Sequence, residues 1–125
     1  MRIWLDGNTE AHHFINSAYW KDNYDAVREA LTCAEVYVYE KDGEITGFAG
    51  IAGGYIEGIF VDKRYRSCGI GHELIEFLKG KYPSLSLSVY KKNTRALSFY
   101  LREGFTLAGT GTDEATGEEE LTLTF

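Results

Sequence analysis

The sequence predicts one mixed α/β domain: a mostly antiparallel sheet with helices packed on its faces. Three observations predict it. The first quarter has a helical pattern. Hairpin-like strands follow it. The second half alternates strand and helix before two closing strands. Hairpins give antiparallel pairs and strand–helix–strand crossovers give parallel ones, so the sheet is mixed. A length of 125 residues suits a single domain over 1–125. Hydrophobic content of 44%, with 14% aromatic, is enough to build its core.

In chain order, residues 9–32 read as two helices broken near Lys21–Asn23. "EVYVYEKDGEITGFAGIAGG" then reads as a hairpin, with β-branched Val36 and Val38 beside tyrosines, a turn at Lys41-Asp42-Gly43, and a second strand from Glu44. Gly53-Gly54 makes the next turn, and "YIEGIFV" is a third strand, Tyr55 to Val61. Gly69 to Lys81 reads as a helix with Ile70, Leu74, Ile75 and Leu78 on one face, and Pro83 blocks its continuation. "LSLSVY", Leu85 to Tyr90, alternates as a strand. A helix over Asn93 to Arg102 ends at Gly104. The closing strands start at Phe105 and near Glu119, joined by the polar turn "GTDEATGEE". No repeat, low-complexity segment or linker interrupts this order.

The net charge of -6 argues against nucleic acid and anionic membranes as partners and favours a cationic substrate such as an amine. No apolar run approaches membrane-spanning length. Ile3, Trp4 and Leu5 are followed at once by Asp6, which is no leader pattern. Cys33 and Cys68 lack metal-ligand or redox spacing and read as reduced thiols of a cytoplasmic protein. His12 and His13 are adjacent on a helix and face different ways, so no metal site is expected.

The informative stretch is "VDKRYRSCGIGHELIEFLKG". A helix start offers unpaired N–H groups and the positive end of the helix dipole to an anion. Glycines let the backbone approach it, and Arg64 and Arg66 can add charge-assisted bonds. A tight strand-to-helix turn with solvated arginines explains the same residues. His72 and Glu73 after Gly71 exclude a P-loop, and the third glycine of a dinucleotide fingerprint is missing.

The segment Arg66-Ser67-Cys68-Gly69-Ile70-Gly71 resembles the R/Q-x-x-G-x-G/A motif of the GNAT acetyltransferase superfamily. "IEGIFVDKRYR" resembles that family's strand four and the loop after it, and "NTRALSFYLREGF" its second signature. "AHHFINSAYW" is similar to a small bacterial subgroup. The resemblance implies an acyl-CoA N-acyltransferase fold and acetyl-CoA as co-substrate, with no metal. It implies main-chain pairing of Ile59, Phe60 and Val61 with the pantetheine arm. It also implies pyrophosphate binding by Arg66, Ser67, Cys68, Gly69, Ile70, Gly71 and His72, and a pantetheine contact from Asn93. Met1-Arg2-Ile3-Trp4 resembles the middle of the family's first helix, so the family's first strand has no counterpart here. That shortened sheet predicts self-pairing as a homodimer.

The implied reaction moves acetyl to a primary amine, either a protein lysine or N-terminus or a small molecule. Tyr100, where the second signature places it, is the candidate acid for the leaving thiolate. Glu57 falls where many members carry a carboxylate acting through water, and either it or water alone serves as base. Tyr55, two residues away on the same strand face, lines the acceptor pocket. Asp113, Glu114, Glu118, Glu119 and Glu120 form a solvated acidic turn or a lure for a cationic acceptor. A CoA-binding module without catalysis, and an interaction protein pairing through its sheet edge, are the rival readings.

Overall fold

The computed structural model describes residues 2–11, 17–26, 28, 35–66 and 69–125. Helix α1 is Arg2–Ala11 and α2 is Ser17–Asp22, with residues 24–26 also helical. The break near Lys21–Asn23 is present: Asn23 turns back and donates from both its backbone and side-chain nitrogen to the Tyr19 carbonyl. The helical segment starts earlier than residue 9, however. Asp6, Gly7, Asn8 and Thr9 are weak helix formers, so propensity hides α1. Packing overrides it. Ile3 and Trp4 are buried, Trp4 meets Trp20 and Tyr24 edge-on, and buried Asn8 donates to the Trp4 carbonyl at 2.9 Å.

Strands β1 (Glu35–Lys41), β2 (Glu44–Ala52) and β3 (Tyr55–Val61) form an antiparallel meander. Asp42 and Gly43 take the positive φ values of a tight hairpin turn. Then come α3 (Ile70–Lys81), β4 (Ser86–Tyr90), α4 (Thr94–Arg102), β5 (Thr106–Thr112) and β6 (Glu119–Thr124). The six strands lie in the order β1-β2-β3-β4-β6-β5. Only the β3–β4 pair is parallel. Among the described residues no strand precedes β1, and no helix is long and apolar enough to cross a membrane.

The sheet separates two cores. On one face Ile51, Ile56, Ile75, Leu78, Leu87 and Leu123 form the larger one, under α3 and α4. On the other face Ile3, Trp4, Trp20 and Phe48 form a smaller aromatic one, under α1 and α2. Residues 46–51 are a continuous buried run because β2 is covered on both sides.

Two irregularities of β3 position the site. Gly50 pairs with Gly58 but Ile51 pairs with Ile56, so Glu57 is an extra residue, a β-bulge. The bulge reverses the alternation. Ile56 and Ile59 both meet the larger core, while Phe60 stacks on Phe48 in the aromatic one. The second irregularity is a split. Pairing with β4 stops after Tyr55↔Ser86 and Ile56↔Leu87, whereas pairing with β2 continues to Val61.

Candidate active site

Beyond Ile56, then, β3 turns one edge of backbone groups toward a gap that β4 does not fill. Ile59, Phe60 and Val61 lie along this gap, half-buried, and among the described residues no strand pairs with them on that side. Unpaired N–H and C=O groups of an extended strand are a template for another extended chain.

At the end of β3 the chain turns through Lys63–Tyr65 into α3. Asp62 caps that turn by accepting from the Arg64 N–H at 3.1 Å. Its carboxylate is buried, and the Arg64 and Arg2 guanidinium groups reach it at 3.1 and 2.7 Å. Bonds from Arg64, then Arg2, hold this carboxyl far below the usual range, against the opposing effect of burial. Arg64, expected to face an anion, is thus turned to Asp62 and to Glu44 at 3.6 Å. Arg66 is half-buried and extended, with φ -64° and ψ 153°. Ser67 and Cys68 lie outside the described residues, as do Cys33, His12 and His13.

Gly69 caps α3 in the left-handed conformation, φ 81° and ψ 7°, where a side chain is strained. Among the described residues, a Cβ on Gly69 would meet no atom within 4 Å, so none of them fills the space beside the helix start. Gly71 differs: a Cβ there would lie 3.1 Å from Phe99 Cζ. Its glycine lets α3 approach α4. Ile70 is buried and anchors the turn. His72 is exposed beside the turn, its Nδ1 2.6 Å from Glu103 Oε1 at the end of α4. His72, Glu76 and Glu103 offer donor atoms within 4.8 Å of one another. A cation already stands among them, since Lys79 Nζ donates to Glu76 at 3.4 Å and to the Glu103 carbonyl.

Asn93 caps α4: its Oδ1 accepts from the Ala96 N–H at 3.2 Å. Tyr100 is the one buried residue of that helix, with its ring edge-on to Phe99 and Phe105. Burial alone pushes its phenol above the ordinary value, with no charge or hydrogen bond contributing. The group is held protonated.

Across the sheet, Tyr55 and Glu57 lie on the face opposite buried Ile56, both exposed. Tyr55 Oη donates to Ser88 Oγ at 3.0 Å and so joins β3 to β4 where the split opens. The predicted site residues therefore lie on both faces of the split sheet. Tyr100 stands in the core on one side, Tyr55 and Glu57 on the other, and the glycine turn at the end. Asp62 and Glu103 escaped sequence reasoning. A signal for Asp62 existed, since an aspartate at a strand's end before a turn reads as a cap.

Comparisons agree with this geometry. Residues 32–107 match the model of the acetyltransferase (GNAT) domain. Over 107 residues the chain is 37% identical to the Escherichia coli peptidyl-lysine N-acetyltransferase YiaC, covering 84% of this chain and 73% of that one. The E. coli peptidyl-lysine N-acetyltransferase YjaB is 31% identical over 109 residues, 86% of this chain and 74% of its own. The solution structure of apo YjaB superposes with a TM-score of 0.87 over 99% of this chain and 86% of that one, at 28% identity. An acetyltransferase from Bacillus anthracis, solved in complex with acetyl coenzyme A, gives 0.66 at 27% identity, over 74% of this chain and 62% of that one. Split sheet and glycine-led helix together define an acyl-CoA N-acyltransferase fold. The chain belongs to the GNAT acetyltransferase family, and it is an N-acetyltransferase.

Proposed function

We propose that this protein transfers acetyl from acetyl-CoA to the ε-amine of a protein lysine. The split between β3 and β4 carries the reading. It leaves β3 from Glu57 to Val61 without a partner strand on that side, a template for an extended pantetheine arm, and the chain then leads to the helix start of α3. The space that the described residues leave beside Gly69 fits a pyrophosphate held by backbone N–H groups of the Arg66–Gly71 turn. Main-chain groups of Ile59, Phe60 and Val61 hold the arm, and Asn93 and His72 border it. The lysine acceptor is favoured by the two curated relatives named for peptidyl-lysine acetylation. The cytoplasm, where thiols stay reduced, is the compartment proposed.

Acetyl-CoA supplies the acetyl group and leaves as a thiol. The amine approaches on the face opposite Tyr100, along Tyr55 and Glu57. Glu57, directly or through water, takes the proton that the ammonium must lose before attack. Tyr100 Oη donates a proton to the departing thiolate. The dry surroundings that keep this phenol neutral equally disfavour a free thiolate, so the proton moves toward sulfur.

The test is thiol release from acetyl-CoA with a panel of lysine peptides, N-terminal peptides and small amines. Mass spectrometry of the products locates the added acetyl group. Acetyl-lysine products are expected. Release on small amines alone, or on none, would sink the lysine assignment.

A homodimer through the edge strand β1 is also proposed. Val36 and Val38 on that strand are 39% and 49% exposed. A monomer mass by light scattering at high concentration would remove it.

A further inference from the structure

Glu120 stands apart from the other acids of the β5–β6 turn. Glu118 pairs with Lys92 and Glu119 with Lys91, each at 3.3 Å. Asp113 accepts from Tyr90 Oη at 2.5 Å and from the Ala115 N–H at 3.0 Å. Glu114 is exposed on the turn. Glu120 is half-buried, and among the described residues no cation or hydrogen-bond donor meets its carboxylate.

Its place in the sheet gives this a direction. Glu120 pairs in register with Tyr90 on β4, so the two side chains share a face. That face is the aromatic one, where Tyr90, Phe60 of β3 and Tyr19 of α2 all pack against the aromatic core. Tyr90 and Phe60 belong to the two strands that the split separates. Ser88, two residues before Tyr90 on the same face, accepts from Tyr55. Tyr55, Ser88, Tyr90 and Glu120 therefore run as one polar band on the face opposite Tyr100, with Tyr19 beside them.

We propose that Glu120, walled by Tyr19 and Tyr90, is the specificity residue that receives the cationic head of a lysine acceptor beside the split. This rests on the lysine reading above and adds the group that selects the charge. A half-buried carboxylate without a cation is costly, and an ammonium guest relieves that cost. Burial first, then Asp113, pushes the Glu120 carboxyl up, which is the behaviour of a carboxylate lacking its cation. Asp113 and Glu120 also act on the Tyr19 phenol, so all three lie within one another's fields. The tyrosine rings suit the apolar four-carbon stem of lysine, which a short or branched amine lacks.

The experiment compares wild type, Glu120→Gln and Glu120→Asp with two nucleophiles. One is a lysine peptide. The other is hydroxylamine, uncharged at mildly alkaline pH. Calorimetric CoA affinity reports the fold. Glu120→Gln is expected to lower the lysine-to-hydroxylamine ratio of kcat/KM by roughly 10- to 100-fold, the worth of one bond to a charged group. The loss should fall mainly in the peptide KM. Glu120→Asp, which keeps the charge, should recover most of it. An unchanged ratio, or equal loss with both nucleophiles, overturns the proposal, as does loss of CoA affinity, which would make Glu120 structural. Wild-type transfer to hydroxylamine but to no lysine peptide overturns the lysine reading itself.

Discussion

Tyr100→Phe is expected to lower turnover roughly 100- to 10,000-fold, the usual worth of one general acid, while CoA still binds. The substitution removes one oxygen and keeps the ring that packs on Phe99 and Phe105. Among the described residues no hydrogen bond contributes to the raised phenol, and the ring keeps its packing, so the fold is expected to survive. The loss should appear in kcat rather than in the KM for acetyl-CoA, because the proton is needed as the thiolate departs. Single-turnover kinetics isolate that step. A variant with wild-type turnover there would return Tyr100 to the status of a packing residue.

Gly69→Glu is expected to weaken CoA binding by roughly 100-fold or more. Two like charges about 4 Å apart cost about 4 kcal/mol near a protein surface, before salt screening reduces it. Among the described residues the added Cβ meets no atom, so the carboxylate can extend into the proposed phosphate site and repel the phosphates. Backbone strain adds about 1–2 kcal/mol to folding, since Gly69 has φ 81°. Gly69→Ala shares the strain without the charge and separates the two. Its melting temperature should fall while its CoA affinity changes less than that of Gly69→Glu. Wild-type affinity in Gly69→Glu, by calorimetry, would mean that the phosphates are held elsewhere.

The elements near the site were legible because local rules decide them. The turn at Asp42-Gly43, strand Tyr55 to Val61, the helix after Gly69 and the stop at Gly104 rest on turn residues, alternation and helical spacing. The N-terminal helix was not legible over its first half. Trp4 folds it by meeting Trp20 and Tyr24, residues far along the chain. The bulge at Glu57 was also hidden, since it appears only when β3 is matched against β2. For the same reason alternation misplaces Phe60, which lies on the side opposite to Ile56. The pairing of Arg64 with Asp62 was not legible, because nothing local reveals that Asp62 is buried and also met by Arg2. Gly71 was legible as a glycine but not for its observed use, since the neighbour that excludes a side chain is Phe99. Tyr100 and Glu57 were found through family resemblance. Glu120 could not be singled out, because its difference from Glu118 and Glu119 lies in which lysines those two engage.

The division of the interior by the sheet has a spectroscopic consequence. The chain has two tryptophans, Trp4 and Trp20, and both lie in the aromatic core under α1 and α2. Intrinsic tryptophan emission therefore watches one layer of the molecule. It registers the docking of the first two helices and reports nothing directly from α3, α4 or the aliphatic core beneath them. A fluorescence melt and a circular-dichroism melt coincide only when both layers let go together. Any gap between the two curves measures how independently α1 and α2 leave the sheet.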